Sequence, residues 1–257
     1  MTLLVDFLCR FGWGLSLALV LTPAALVPGG FFRVNLLVIL GLSTFAALLA
    51  RTAVPGSLWL LPAVTAIAAW MGSIVWLAER RRAGLFFCGL CAALLAAATV
   101  WLSTGWQSPG WQSPGWQSPG WPAMERLLSG LVVGLTVHAM LLGHWYLNAP
   151  GMRVDALRRL IDWALVAWGA QLAVTAAAAF AAGTLVPGRA AGAAIDPATV
   201  ALVSLRWLAG LVGLPGLLWL SRKTLDIPNT QSATGILYVA CIAAIIGELS
   251  SQLLSTR

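Results

Sequence analysis

Charge is what this sequence has least of. Only 9% of its 257 residues are Asp, Glu, Lys or Arg, where soluble globular domains carry about 25%. Together with 60% apolar residues and a mean hydropathy of +0.89, that scarcity excludes a soluble globular domain and predicts an all-α integral membrane protein. Lysine is nearly missing: Lys223 stands against fourteen arginines. The net charge of +7 is therefore arginine charge placed between apolar runs, which is a topological pattern and not a nucleic-acid-binding patch. Histidine occurs twice, at His138 and His144, too few for a metal site built from this chain's histidines. A cleavable leader is not expected, because Asp6 and Arg10 precede the only candidate apolar core at 15–21. No polar stretch is long enough for a soluble domain, which argues against an autonomous enzyme.

What is present is a series of apolar runs. Spanning the hydrocarbon takes roughly 20 mainly apolar residues, and that ruler predicts a bundle of about eight transmembrane helices, near 3–27, 34–50, 58–78, 84–103, 127–147, 157–182, 198–220 and 233–254. They form one transmembrane domain over 1–257, with no four-plus-four internal repeat visible. Pro23, Pro62 and Pro215 fall inside these runs, where kinks are tolerated if neighbours satisfy the freed carbonyls.

Between the fourth and fifth runs lie three identical copies of WQSPG, from Trp106 to Gly120. Recurrent Pro-Gly pairs forbid helix and ladder alike, so 104–122 reads as a loop. Its indoles suit a membrane surface, although a tandem expansion tolerated at a loop tip is the plainer explanation.

Assigning the connections alternately to two sides puts Arg33, Arg80, Arg81, Arg82, Arg153, Arg158, Arg159, Arg222 and Lys223 on one side, and Arg10, Arg51, Arg126, Arg189 and Arg257 on the other. The richer side is expected to be cytoplasmic, with both termini external and the bacterial inner membrane as host. Trp76, Trp145, Trp163 and Trp219 then lie near cytoplasmic helix ends, and Trp59 and Trp101 near external ones.

Titratable groups inside apolar helices are costly and point to function. The stretch Gly134–Asn148 holds both histidines, and Asp162, Tyr238 and Gln231 are expected at overlapping depths. Such a group would relay protons or hydrogen-bond the head of a quinone in an apolar slot. The plainer alternative makes His144 an interfacial anchor and Ser232 or Asn229 a helix cap. Haem is disfavoured: His138 and His144, six residues apart at about 100° each, point roughly 120° away from one another, so this chain alone cannot supply both to one iron. Cys88 and Cys91 spell CxxC, but two further ligands for zinc are missing and small residues are expected in packed helices. Near the other side, Arg206 and Glu248 lie at matching depth and are expected to form an intramembrane ion pair, or an anion or proton path.

Three functional readings follow. The chain is a quinone-interacting or accessory subunit of a membrane redox complex using the histidine cluster, a small proton- or anion-coupled transporter using Arg206 and Glu248, or a non-catalytic membrane assembly protein. The lipid bilayer, other membrane subunits or a second copy are the partners such a composition implies.

Overall fold

The computed structural model describes residues 1–54, 56–105, 120–149, 151–181, 196–227 and 229–254. Every regular element among them is helical: α1 (Thr2–Leu21), α2 (Gly29–Ala53), α3 (Leu60–Leu77), α4 (Arg81–Gly105), α5 (Gly120–Asn148), α6 (Asp155–Ala181), α7 (Pro197–Leu205), a π segment (Arg206–Gly213), α8 (Leu214–Thr224) and α9 (Thr230–Leu254). Since α7, the π segment and α8 run on as one rod, eight stretches are long and apolar enough to cross a membrane.

The breaks have local chemical causes. Pro23 has no N–H to continue α1, and the Thr22 hydroxyl donates to the Ala18 carbonyl at 2.7 Å as the helix ends. Pro28 then caps α2, so the first stretch ends at 21 and not 27, and the second begins at 29 and not 34. The loop expected over 104–122 is shorter at both ends, because α4 runs to Gly105 and α5 starts at Gly120; the rest of the WQSPG repeat lies outside the described residues. Gly151 sits at φ 98°, the left-handed geometry that the turn after α5 requires.

The π segment ends against Pro215. In its register a carbonyl accepts from the fifth residue on, as Ala209 accepts from the Leu214 N–H. Gly210 would accept from residue 215, where proline has no hydrogen to give. The Trp168 indole on α6 donates to that Gly210 carbonyl instead, at 3.2 Å.

Neighbouring helices form two rings. In the first, α1 packs on α2, α2 on α3, α3 on α4, and α4 back on α1; in the second, α5 packs on α6, α6 on α8, α8 on α9, and α9 back on α5. The chain thus makes two four-stretch rings with the same neighbour order, a four-plus-four organisation that the sequence did not reveal. The rings join along α1 and α5, which run parallel in a constant register of 120 residues: Asp6 faces Arg126, Arg10 faces Gly130 and Gly14 faces Gly134. Glycine is obligatory at this crossing. A Cβ on Gly134 would come 2.2 Å from the Gly14 carbonyl carbon, and one on Gly130 would come 2.4 Å from the Arg10 carbonyl oxygen. Small residues allow such backbone-to-backbone approach in helix pairs.

The main core is shared by both rings, with the Phe32 and Trp76 rings stacked at 4.2 Å. The two rings differ at the end where the chain begins and α9 finishes. There the first ring is filled by Val5, Leu8, Ala46, Ala50, Leu58 and Leu102, while the second holds a partly open cavity with both polar and apolar lining.

Candidate functional site

At that end, where α1, α5 and α9 meet, the Arg10 guanidinium lies between two carboxylates. It pairs with Asp6, one turn earlier on α1, and donates to Glu248 of α9 at 2.8 Å. These are among the most enclosed charges in the chain, with side-chain exposures of 11% for Arg10, 6% for Asp6 and 5% for Glu248. Gln252, one turn beyond Glu248, donates to the same carboxylate oxygen at 3.0 Å. Arg126 of α5 approaches the other Asp6 oxygen at 3.8 Å, too far for a hydrogen bond. Among the described residues, the two carboxylates thus share Arg10, and Arg126 approaches Asp6 from a longer distance. Asp6 Oδ1, Arg10 Nε and Arg126 Nη1 are buried without a hydrogen-bond partner among the described residues, and buried polar atoms ordinarily have one.

Glu248 also faces a cavity inside the second ring. Its polar lining is Ser129 of α5, Gln171 and Thr175 of α6, Arg206 of the π segment, and Glu248 and Ser251 of α9. The π segment approaches α9 closely here, since a Cβ on Gly247 would lie 2.7 Å from the Gly210 Cα. The cavity measures about 40 Å³. At roughly 10 to 15 Å³ per water this holds about three waters, and no metabolite. At the rim, Arg206 pairs with the half-exposed Glu125 at 3.6 Å.

No family model, curated protein or solved structure matches this chain. The reading of the site therefore rests on the geometry of its side chains.

That geometry revises several expectations. Arg206 and Glu248 do not pair: Arg206 turns to Glu125, and Glu248 to Arg10 and Gln252. They share the cavity wall, so their depths match, but depth along a helix does not fix the direction in which a side chain points. The cluster of His138, His144, Asp162 and Tyr238 is not gathered either. His144 Nδ1 and the Tyr238 hydroxyl meet at 3.1 Å across the outer face of α5 and α9. Asp162 instead accepts from Arg222 of α8 at 2.9 Å, within an exposed network that includes Asp226 and Arg158, and Gln231 is exposed. Cys88 and Cys91 are free thiols buried in the core, as packing residues are.

His138 is fully buried against Phe31, with its Nε2 2.9 Å from the Thr22 oxygen. The Thr22 hydroxyl also reaches the Ala18 carbonyl, so its oxygen is placed to accept from an Nε2–H, and Nδ1 meets no hydrogen-bond partner among the described residues. This places the imidazole as a strut at the break between α1 and α2. His138→Leu loses one hydrogen bond but also an orphaned acceptor, and is expected to change stability by less than about 1 kcal/mol. Thr22→Val leaves both ring nitrogens unpartnered and is expected to cost about 1 to 3 kcal/mol, partly recovered in the double variant. Thermal unfolding in detergent compares the three.

The residues that sequence reasoning missed are Asp6, Arg10 and Arg126. The signal was present: Asp6 and Arg10 stand four apart in an apolar run, on one helix face.

Proposed function

We propose that this chain is a polytopic membrane protein that binds and releases protons at the Asp6, Arg10 and Glu248 network, with the cavity beside Glu248 as its water path. The observation that carries the reading is the pair of buried carboxylates sharing a single arginine, one of them facing a cavity of water size. Protonating Glu248 leaves Arg10 paired with Asp6, so the arginine keeps a carboxylate partner in either state. With the arginine-rich end cytoplasmic, the cavity lies on the external side, and Arg206 with Glu125 forms its rim. The small cavity supports proton exchange over direct passage of an organic solute, so a coupled solute would bind elsewhere or in another conformation.

Proton uptake on acidifying the weakly buffered, detergent-solubilised protein tests this. Glu248→Gln is expected to take up about one proton fewer than the parent, since glutamine keeps the hydrogen bonds but does not titrate. Equal uptake by both proteins sinks the proposal.

A second reading, a quinone-interacting or accessory subunit of a membrane redox complex, is favoured by the His144 and Tyr238 pair, which offers hydrogen-bonding groups on an outward, bilayer-facing surface. Extraction of a quinone with the purified protein, lost in Tyr238→Phe, supports it; an extract free of quinone counts against it.

A further inference from the structure

Outside the network, Arg51 is held without a carboxylate. Its guanidinium carbon lies 5.6 Å over the Trp59 ring, a cation–π contact between the last turn of α2 and the start of α3. Among the described residues no carboxylate pairs with it. The two side chains stand at the mouth of a groove of about 250 Å³ between α2 and α3, whose walls are Thr44, Ala47, Leu48, Ala63 and Ala66. Thr44 spends its hydroxyl hydrogen on the Leu40 carbonyl, so the trough offers almost no donor of its own. From Thr44 to Arg51 the groove runs about 10 Å along the helix at ~1.5 Å per residue.

This combination selects for an amphiphile. Alanines at 47, 63 and 66 leave room for an apolar chain lying along the helices, and the indole and guanidinium provide an interfacial, cationic end. A phosphate makes charge-assisted hydrogen bonds with a guanidinium, whereas a neutral carbonyl head would leave the Arg51 charge uncompensated. We infer that the groove between α2 and α3 binds one anionic phospholipid, with its phosphate on Arg51 and an acyl chain in the alanine-lined trough. The inference rests on the membrane placement proposed above and is independent of the proton reading.

Native mass spectrometry of the detergent-solubilised protein, after incubation with phosphatidylglycerol or phosphatidylcholine, tests it. The parent is expected to retain one phosphatidylglycerol in preference to phosphatidylcholine. Arg51→Gln should weaken retention about tenfold, the worth of one charge-assisted hydrogen bond. Ala63→Phe, which fills the trough while keeping the charge, should do the same, and Arg81→Gln, at the opposite end of the bundle, should not. Equal retention by all four proteins overturns the inference. So does retention lowered as much by Arg81→Gln as by Arg51→Gln, and so does a groove that prefers a neutral isoprenoid quinone regardless of Arg51. Proton uptake in Arg51→Gln is expected to match the parent, which keeps a failure here separate from a failure of the network proposal.

Discussion

Gly134→Leu is expected to prevent the two rings from joining. At this position any Cβ would lie 2.2 Å from the Gly14 carbonyl carbon and 2.4 Å from the Leu15 nitrogen. Both obstacles are backbone, so no rotamer change relieves the clash and α1 and α5 must part. Overpacking a core costs about 1 to 3 kcal/mol where side chains can yield; with none to yield, the loss should exceed about 4 kcal/mol. The contrast is Gly41→Leu on α2, where a new Cβ meets nothing within 4 Å. Leucine there replaces a poor helix former with a good one, and stability should hold or rise slightly. Size-exclusion chromatography after graded heating reads both. A Gly134→Leu protein as stable as Gly41→Leu would show that α1 and α5 do not cross at these glycines.

Arg10→Met should have the second largest effect. It removes the one cation that both Asp6 and Glu248 use, and breaking a buried ion pair from one side typically costs about 3 to 5 kcal/mol because the surviving charge is left uncompensated. Here two carboxylates lose that partner, and among the described residues Arg126 is the other cation paired with Asp6, at 3.8 Å. Replacing all three members, Asp6→Leu, Arg10→Met and Glu248→Leu together, should recover much of the loss, since apolar substitutes for buried charges are often neutral or better. Thermal unfolding of the single and triple variants checks this non-additivity. A triple variant less stable than Arg10→Met alone would mean that the charges stabilise the fold outright.

The eight long helices were legible because each needs only a run of apolar residues bounded by proline, glycine or arginine. The ring order was not, because hydropathy reports length and depth but not azimuth. For the same reason Arg206 and Glu248 line one cavity without pairing: α9 turns Glu248 toward α1. Asp6 and Arg10 were hidden by position. Lying so near the start of the chain, they read as evidence about targeting and topology, and only the return of α9 onto α1 and α5 encloses them. The doubled architecture leaves a faint echo, Pro28-Gly29 with Arg33-Val34-Asn35 against Pro150-Gly151 with Arg153-Val154-Asp155, too short to stand out from other helix connections. The π segment was foreshadowed by Pro215 as a kink, but its register depends on the Trp168 donor from another helix. His138 looked functional because a mid-helix imidazole is costly. Its contact with the Thr22 hydroxyl shows a side chain that ties a helix break.

The central claim is that Glu248 changes protonation state inside the folded protein. Infrared difference spectroscopy between neutral and acidic buffer reads that change directly, as carboxylate stretch converted to protonated carbonyl stretch. A protonated-carbonyl signal is expected in the parent, surviving in Glu125→Gln at the cavity rim and disappearing in Glu248→Gln. An undiminished signal in Glu248→Gln, or none in the parent, would contradict it.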